Sequence, residues 1–232
     1  MLESREVTKV FGTKTAVDHV SLALEKGHVY AMLGPNGSGK TTWMKMAAGL
    51  IKPTSGEVLF QGRPVSIESR GHVAYMSTEP YFYTWMSAKD VGRYYADFFS
   101  DFSWDRYRSL LQRMQLSEDL KTKALSSGMM AKLKIAVTMA RDAQVYMLDE
   151  PFNGIDLLAR DEIRACILDY ATQDKLLLLS SHLVEEMEAI ADQAVFISEG
   201  RIVEFTDLET MRAERGISMA DRYRQIYGHT EG

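Results

Sequence analysis

The segment that most restricts the fold of this chain is residues 34–42, which read GPNGSGKTT. A run of the form G-x-x-x-x-G-K-[ST] makes a loop whose backbone N–H groups turn inward around nucleotide phosphates. The apolar residues 28–33 before it predict a buried strand, and residues 41–50 after it predict a helix. Strand, loop and helix stand in the order that this motif requires, so the sequence predicts a nucleotide site.

Two side chains of the loop have predicted contacts of their own. Lys40 is expected to place its charge near the β- and γ-phosphates, and the hydroxyl of Thr41 is expected to reach Mg²⁺. The alternative is a glycine-rich turn that matches the motif by chance. The flanking strand and helix argue against that alternative.

Length and charge restrict the classes of protein that remain. The 232 residues are enough for one α/β domain, and 27 Lys and Arg against 32 Asp and Glu leave a formal net charge of −5. Because the chain has no general basic field, it is not expected to bind nucleic acid. The N-terminus lacks a signal-peptide pattern, and no apolar run approaches the roughly 18 residues of a membrane span. We therefore expect a soluble, cytosolic chain.

The residue pattern divides the chain into a core and a helical insert. Within a single domain of residues 1–232, segments 1–87 and 142–232 are predicted to form the core with its β subdomain, and 88–141 a helical subdomain. Strands are predicted at residues 15–24, 28–33, 57–61, 144–148 and 175–179, with a hairpin at 194–198 and 201–205. A helix at 157–170 makes a βαβ crossover, which predicts a parallel sheet covered on both faces.

Two adjacent carboxylates, Asp149 and Glu150, follow the apolar strand that begins near Val145. Adjacent residues of a strand point to opposite faces, so the two acids are predicted to have different roles. Asp149 suits the outer shell of Mg²⁺, and Glu150 suits a group that orients or deprotonates the attacking water. The alternative is an acidic turn that ends the strand before Pro151, and the phosphate loop elsewhere in the chain favours the functional interpretation.

A second candidate anion site lies at residues 125–129, before an amphipathic helix predicted at about 130–141. Ser126, Ser127 and Gly128 would expose hydroxyl and N–H groups at the positive end of the helix dipole. An N-cap without any ligand is the alternative interpretation. The short spacing to Asp149 places this helix start away from the chain's own phosphate loop, so a phosphate bound here is predicted to belong to a second subunit.

Together these segments resemble the nucleotide-binding subunits of ATP-binding cassette (ABC) transporters, over nearly the whole chain. Residues 34–42 resemble the Walker A loop, 145–149 the Walker B strand, 125–129 the signature and 153–156 the D-loop. His182 resembles the switch histidine, and Phe11 stands where the family stacks an aromatic ring on adenine. The fold that the resemblance implies is α/β: a P-loop NTPase core with a mostly parallel sheet, an N-terminal antiparallel β subdomain and a helical insert.

The resemblance also implies cofactors, partners and roles for individual residues. It implies ATP and Mg²⁺, a second ABC ATPase subunit placed head to tail, and a transmembrane permease. The ATP contacts that it implies are Phe11, Gly34, Asn36, Gly37, Ser38, Gly39, Lys40, Thr41 and Thr42. The remaining implied roles are catalysis by Glu150 and His182, Mg²⁺ binding by Thr41 and Asp149, signature contacts by Ser126, Ser127 and Gly128, and the D-loop Asp156.

The chain departs from the family pattern at two places. Ser127 and Met129 replace the third and fifth letters of the usual signature L-S-G-G-Q, whereas Ser126 and Gly128 match it. More seriously, Thr78 stands where the Q-loop glutamine would meet Mg²⁺ and water, and its hydroxyl is too short to reach as far. Either water fills the gap, or Glu79 turns inward, or the loop keeps only a mechanical role. We favour the first and third, because phosphates would repel a glutamate.

An aromatic cluster follows the Q-loop, formed by Tyr81, Phe82, Tyr83 and Trp85. Its members belong either to the core of the helical insert or to a contact with the permease, since aromatic residues are enriched at the buried centres of interfaces.

The sequence is most similar to single-cassette subunits of small bacterial exporters of peptides, antibiotics or lipids. The expected location is the cytoplasmic face of the membrane, through the permease. Two alternatives remain: a non-transport ABC ATPase of DNA repair or the ribosome, and a weakly hydrolysing half of a heterodimer. The acidic balance and the short insert argue against the first, and Thr78 leaves the second open.

Overall fold

The computed structural model describes residues 1–79 and 82–228, which form two sheets with helices around them. The strands are β1 (Leu2–Phe11), β2 (Lys14–Leu24), β3 (Val29–Leu33), β4 (Ser55–Phe60), β5 (Arg63–Pro64), β6 (Val73–Met76), β7 (Val145–Asp149), β8 (Leu176–Ser181), β9 (Gln193–Ser198) and β10 (Arg201–Asp207). The helices are α1 (Lys40–Ala47), α2 (Ile67–Arg70), α3 (Ala88–Phe98), α4 (Trp104–Arg113), α5 (Ser127–Met139), α6 (Leu157–Leu168), α7 (Val184–Glu188), α8 (Leu208–Arg215) and α9 (Met219–Tyr227).

The central sheet has the strand order β10-β9-β3-β8-β7-β6 and is parallel except for the antiparallel edge pair β9–β10. Its inner strands are buried on both faces, so they read as continuous apolar runs. On β3, Tyr30 and Met32 pack toward α1 and the second sheet, whereas Ala31 and Leu33 pack toward the other helices. The carboxyl ends of β3, β7 and β8 therefore meet at one edge, where α/β folds bind ligands.

The second sheet is antiparallel, with the order β2-β1-β4-β5, and it packs on α1. Trp43 of α1 is fully buried between the two sheets, and its indole N–H donates to the hydroxyl of Ser4 at 3.2 Å. A buried indole N–H needs such a partner. This packing holds the helix after residues 34–42 against both sheets.

Helices α3, α4 and α5, with a short 3₁₀ turn at Thr122–Ala124, pack beside the β6 edge of the central sheet. Arg141 joins the two parts, because its guanidinium pairs with Asp101 at 3.0 Å and donates to the carbonyl of Val73 at 2.7 Å. The same guanidinium lies 3.8 Å from the centre of the Phe99 ring. A buried arginine with its donors satisfied ties the helices to the edge strand.

The α/β class, the mostly parallel sheet, the N-terminal antiparallel sheet and the helical insert are confirmed. Three strands, β1, β5 and β6, were not among the predicted elements. Helix α5 begins at Ser127, three residues before the predicted start at 130, because the Ser126 hydroxyl accepts from the backbone N–H of Met129 and caps the helix there. Among the described residues, no helix combines the length and the apolar composition that a bilayer crossing needs.

Candidate functional site

The loop of residues 34–42 lies between β3 and α1 and lines a cavity of about 460 Å³. Gly39 has φ +111°, and a Cβ at this position would lie 2.6 Å from the carbonyl oxygen of Ala16. Only glycine fits such a close approach with a positive φ. Gly39 also precedes α1 without a side-chain cap, and the first turn of α1 contains no acidic residue. The backbone N–H groups of the first turn of α1 therefore form an anion site at the start of the helix.

Lys40 is almost fully buried, with 5% of its surface exposed, and its Nζ donates to the carbonyls of Gly34 at 2.6 Å and Pro35 at 3.2 Å. The same Nζ lies 3.5 Å from Oε1 of Glu150. Burial lowers the pKa of Lys40, although the Glu150 charge acts in the opposite direction. The ammonium is thus a concentrated positive charge inside the loop.

Asp149 ends β7 beneath the loop and is fully buried. Its Oδ1 accepts from the Thr41 hydroxyl at 3.1 Å and from the Ser180 hydroxyl at 2.5 Å. Its Oδ2 accepts from the Tyr75 hydroxyl at 3.2 Å, and burial together with the Asp149 charge raises the pKa of Tyr75. The two predicted Mg²⁺ residues, Thr41 and Asp149, are therefore in direct contact.

Glu150 has φ +49°, and it leaves the strand direction immediately after Asp149. Its Oε2 lies 2.8 Å from Nδ1 of His182, and its backbone N–H donates to the Ser180 hydroxyl at 2.9 Å. The side chain of Glu150 lines the same cavity as the loop. The end of β7 and the end of β8 thus bring Glu150 and His182 into contact.

Two buried oxygens at this place have no hydrogen-bond partner among the described residues: Oγ of Ser38 and Oε1 of Glu150. Buried polar atoms are normally satisfied, and both atoms belong to residues that line the cavity, so they suit a phosphate and a water molecule. No three His, Cys, Asp or Glu side chains of the described chain converge as a metal cage. Magnesium readily takes one or two protein ligands with phosphate oxygens, so Thr41 and Asp149 fit Mg²⁺ that arrives with ATP.

Phe11 of β1, with Lys14 and Ala16 of β2, also lines the cavity. The Phe11 ring is 52% exposed, and Nζ of Lys9 lies 5.1 Å from its centre. An exposed ring at the mouth of a phosphate cavity can stack on a nucleobase. The remaining lining residues are Asn36, Gly37, Ser38, Gly39, Lys40, Thr41, Thr42, Thr78, Glu150 and Asn153.

The signature residues Ser126, Ser127 and Gly128 and the D-loop residue Asp156 do not line this cavity, whereas Asn153, at the start of the D-loop, does. Ser126 caps α5, and the carboxylate of Asp156 caps α6 by accepting from the N–H of Ala159 at 3.0 Å. The Ser127 hydroxyl donates to the carbonyl of Gly154 at 3.2 Å, which joins the two segments. A Cβ added at Gly128 would meet no atom within 4 Å. The chain therefore leaves this helix start open to another molecule.

The Q-loop segment follows β6, and Thr78 lines the cavity. Glu79 does not turn inward, because its carboxylate pairs with Nζ of Lys45 at 2.8 Å and is largely exposed. That pairing lowers the pKa of Glu79. The sequence left three arrangements open at Thr78, and the structure does not show the one in which Glu79 turns inward.

The aromatic cluster divides into a packed and an exposed part. Phe82 packs against the core, whereas Tyr83 and Trp85 are each 62% exposed and stack with ring centres 5.9 Å apart. Tyr81 lies outside the described residues. The exposed pair is a surface feature and does not belong to the core of the helical insert.

Sequence reasoning did not assign roles to three groups at this site: the hydroxyls of Ser180 and Tyr75, and the ammonium of Lys134. Ser180 pairs with Asp149 in the register of β7 and β8. Two serines at the end of the otherwise apolar strand LLLLSS were the available signal. Lys134 donates to loop carbonyls of residues 77–79, and no local pattern marked it.

A family model described as ABC transporter matches residues 17–153, more than half of the chain. The lantibiotic transport ATP-binding protein SrtF of Streptococcus pyogenes is 34% identical over 205 residues, which cover 88% of this chain and 89% of the relative. The Nod factor export ATP-binding protein I of Cupriavidus metallidurans is 30% identical over 233 residues, which cover 96% and 77%.

Among solved structures, an ATP-binding subunit of an ABC transporter superposes with a TM-score of 0.86 at 24% identity. The match covers 97% of this chain and 99% of the other. At this identity the likeness shows a shared fold.

Proposed function

The chain belongs to the ABC transporter family as an ATP-binding, ATP-hydrolysing subunit, and on this premise we propose how its residues divide that work. The phosphate loop and Lys40 hold the phosphates, and Thr41 with Asp149 holds Mg²⁺. Glu150 and His182 act on the attacking water. The observation that carries this proposal is the convergence of Lys40, Asp149, Glu150 and His182 at neighbouring strand ends.

The geometry of Glu150 supports a role as general base. Its Oε2 is fixed by His182, while Oε1 is buried without a hydrogen bond, 3.5 Å from Nζ of Lys40. Movement of Lys40 toward bound phosphates would free this oxygen for a water molecule. A base that receives a proton from water needs one oxygen held and one available. Mg²⁺ held by Thr41 and Asp149 would neutralise the charge that develops on the phosphate oxygens. Lys40, released from Glu150, adds its charge to the same oxygens.

The open helix start of α5 supports a composite site. Ser126, Ser127 and Gly128 lie outside the cavity of their own chain, and Gly128 leaves space around it. We assign them to the ATP of a second ABC ATPase subunit, with Asp156 and the D-loop at the same interface. The helical segment 88–141 then acts as a subdomain that presents α5 to the partner.

The exposed aromatic pair supports a permease contact. Tyr83 and Trp85 stack on each other at the surface beside the Q-loop. A transmembrane partner that covers them would bury an aromatic pair at the centre of the interface. Through this contact the chain would lie on the cytoplasmic face of the membrane. The relatives named for lantibiotic transport and Nod factor export favour export of peptides, antibiotics or lipids.

One specific observation favours a second candidate, a weakly hydrolysing half of a heterodimer. Thr78 offers only a short hydroxyl to the cavity, and Glu79 is turned away toward Lys45. The intact pair of Glu150 and His182 favours full hydrolysis.

Steady-state hydrolysis of ATP by the purified chain tests the proposal. Activity should require Mg²⁺ and should rise more than in proportion to protein concentration, because two copies complete each site. Activity proportional to concentration would contradict the composite site, and activity retained in Glu150→Gln would contradict the role of Glu150 as the base.

Membrane association tests the permease contact. Tyr83→Ala combined with Trp85→Ala should move the chain from the membrane fraction to the supernatant of cells that make the whole transporter, with ATP affinity unchanged. Ile67→Ala removes an exposed apolar side chain at the start of α2 and is the control. Equal sedimentation of both variants would reject the contact.

A further inference from the structure

Lys134 is a buried lysine on α5, the helix that begins at the signature segment. Its Nζ donates to the carbonyls of three successive residues: Ser77 at 3.0 Å, Thr78 at 3.0 Å and Glu79 at 2.8 Å. An ammonium has three donors, and three loop carbonyls are within hydrogen-bond distance of it. Burial lowers the pKa of Lys134, against the opposing charge of Glu79. Neither the phosphate site nor the signature surface described above uses this group.

The loop that Lys134 holds is fixed from two sides. Glu79 pairs with Lys45 on α1, the helix that follows the phosphate loop. Lys134 holds the same loop to α5 through its backbone. Thr78, between these attachments, lines the phosphate cavity. The segment therefore connects the helix of the chain's own nucleotide site with the helix that starts at Ser126.

We propose that Lys134 is a positioning residue for hydrolysis, which ties Thr78 in the phosphate cavity to the signature helix. This inference rests on the proposed function, because positioning has a consequence only where the cavity hydrolyses ATP. Movement of α5 toward a partner's nucleotide carries the backbone at Thr78 with it. The loop thus acts through its backbone, without the glutamine amide that the family pattern places there.

Two consequences follow from this connection. The Lys134 ammonium holds the loop backbone through charge-assisted hydrogen bonds, which are stronger than neutral ones. Loss of this ammonium should therefore displace Thr78. In a dimer, each chain lines one ATP cavity and presents its signature to the other, so Lys134 links the two sites. Loss of the link should lower the cooperativity of hydrolysis with respect to ATP.

The test compares Lys134→Met with Lys132→Met in the full chain. Both remove an ammonium from α5, but Lys132 pairs with Glu162 at 2.6 Å and not with the loop. Lys134→Met should lose about tenfold or more in kcat and its cooperativity, with ATP affinity within about twofold, because misplacement near the reacting groups affects turnover more than binding. Lys132→Met should keep both kcat and the Hill coefficient.

The conservative variant separates positioning from general stability. Lys134→Arg keeps a charged donor that reaches the carbonyls, so it should recover part of the kcat that Lys134→Met loses. If Lys134→Met does not fold, Lys134→Gln takes its place with the same expectation. A kcat and Hill coefficient equal to those of Lys132→Met would overturn the proposal. So would a loss of kcat and ATP affinity in equal measure.

Hydrogen exchange distinguishes a failure of this inference from a failure of the proposed function. The amides of residues 77–79 should exchange faster in Lys134→Met than in the wild-type chain, whether or not ATP is hydrolysed. Unchanged exchange would overturn the proposal that Lys134 holds residues 77–79, and it would leave the proposed function standing. A wild-type chain that hydrolyses no ATP in the presence of Mg²⁺ would instead overturn the proposed function, and with it any role for Lys134 in turnover.

Discussion

Nζ of Lys40 lies 3.5 Å from Oε1 of Glu150, so the loop lysine and the proposed general base form a buried ion pair. The carboxylate offsets the positive charge that phosphates would meet. Binding of ATP must therefore replace one negative partner of Lys40 by another. The site holds opposite charges together until the nucleotide separates them.

The first prediction concerns ATP affinity. Glu150→Gln removes a negative charge next to the phosphate position, so the variant should bind ATP about fivefold more tightly, the effect of roughly one unit charge a few ångströms away in a solvated site. Equilibrium binding without hydrolysis measures this. Glu79→Gln is the control, because its carboxylate already points toward Lys45, and its affinity should change little. Equal affinities for Glu150→Gln and the wild-type chain would contradict the prediction.

His182→Ala should slow hydrolysis without weakening ATP binding. Nδ1 of His182 fixes Oε2 of Glu150 at 2.8 Å, and removal of the ring leaves the carboxylate free to turn. A positioned acid or base contributes about a hundredfold or more, so we expect a loss of that order in kcat. His19→Ala, which removes an exposed imidazole elsewhere, should leave kcat unchanged. Intact hydrolysis in His182→Ala would reject the pairing.

Ser180→Ala tests the buried connection between the two acids. The Ser180 hydroxyl donates to Asp149 and accepts from the backbone N–H of Glu150. Its loss leaves buried polar groups unpaired, which should lower the free energy of unfolding by about 1–3 kcal/mol. Asp149 should also bind Mg²⁺ less well, so half-maximal hydrolysis should need more Mg²⁺.

The control for this variant is Ser181→Ala. The Ser181 hydroxyl is also buried, but it accepts from the N–H of Leu183 and does not contact either acid. Its removal should lower stability without changing the Mg²⁺ requirement. The same Mg²⁺ requirement in both variants would show that Ser180 supports the fold alone.

Glu186 should make stability dependent on pH. Burial acts to raise the pKa of Glu186, but hydrogen bonds from Arg164 and Arg160 outweigh it and hold the pKa below its ordinary value of 4.5. The stabilisation is therefore present above pH 4.5 and lost as the pH falls through the lowered pKa. Glu186→Gln should cost about 1–3 kcal/mol near neutral pH, and the difference from wild type should shrink in acid.

Urea unfolding at a series of pH values measures this difference. Glu57→Gln breaks an exposed ion pair with Arg5 and is the control, since such pairs contribute little. A difference between Glu186→Gln and wild type that grows toward acid pH would have the wrong sign for this account.

The parts of the site that could be predicted from sequence are those fixed by local spacing. Residues 34–42 and the pair Asp149 and Glu150 carry their geometry in a short motif, because a strand end and a helix start determine where the groups point. Ser180 and Lys134 act across the fold. Their partners are set by the register of parallel strands and by helix packing, which no short pattern encodes.

The missed elements have physical reasons as well. Strand β1 contains several charged residues, and its register with β2 shifts near Glu6, where φ is +47°, so the alternation that marks a strand is broken. Strand β6 is only four residues long. The early start of α5 follows from the Ser126 cap, which recruits residues that the apolar pattern alone leaves outside the helix.

The most direct test of the account is the mass of Glu150→Gln in solution, measured by light scattering on a sizing column with and without ATP and Mg²⁺. Without its base the chain should bind ATP and stay closed, so the mass should double when ATP is added. Gly128→Glu in the same background should remain a monomer, because a side chain there meets nothing in its own chain and can only obstruct a partner. A monomeric Glu150→Gln with ATP bound, or a dimer that Gly128→Glu leaves intact, would contradict the composite site.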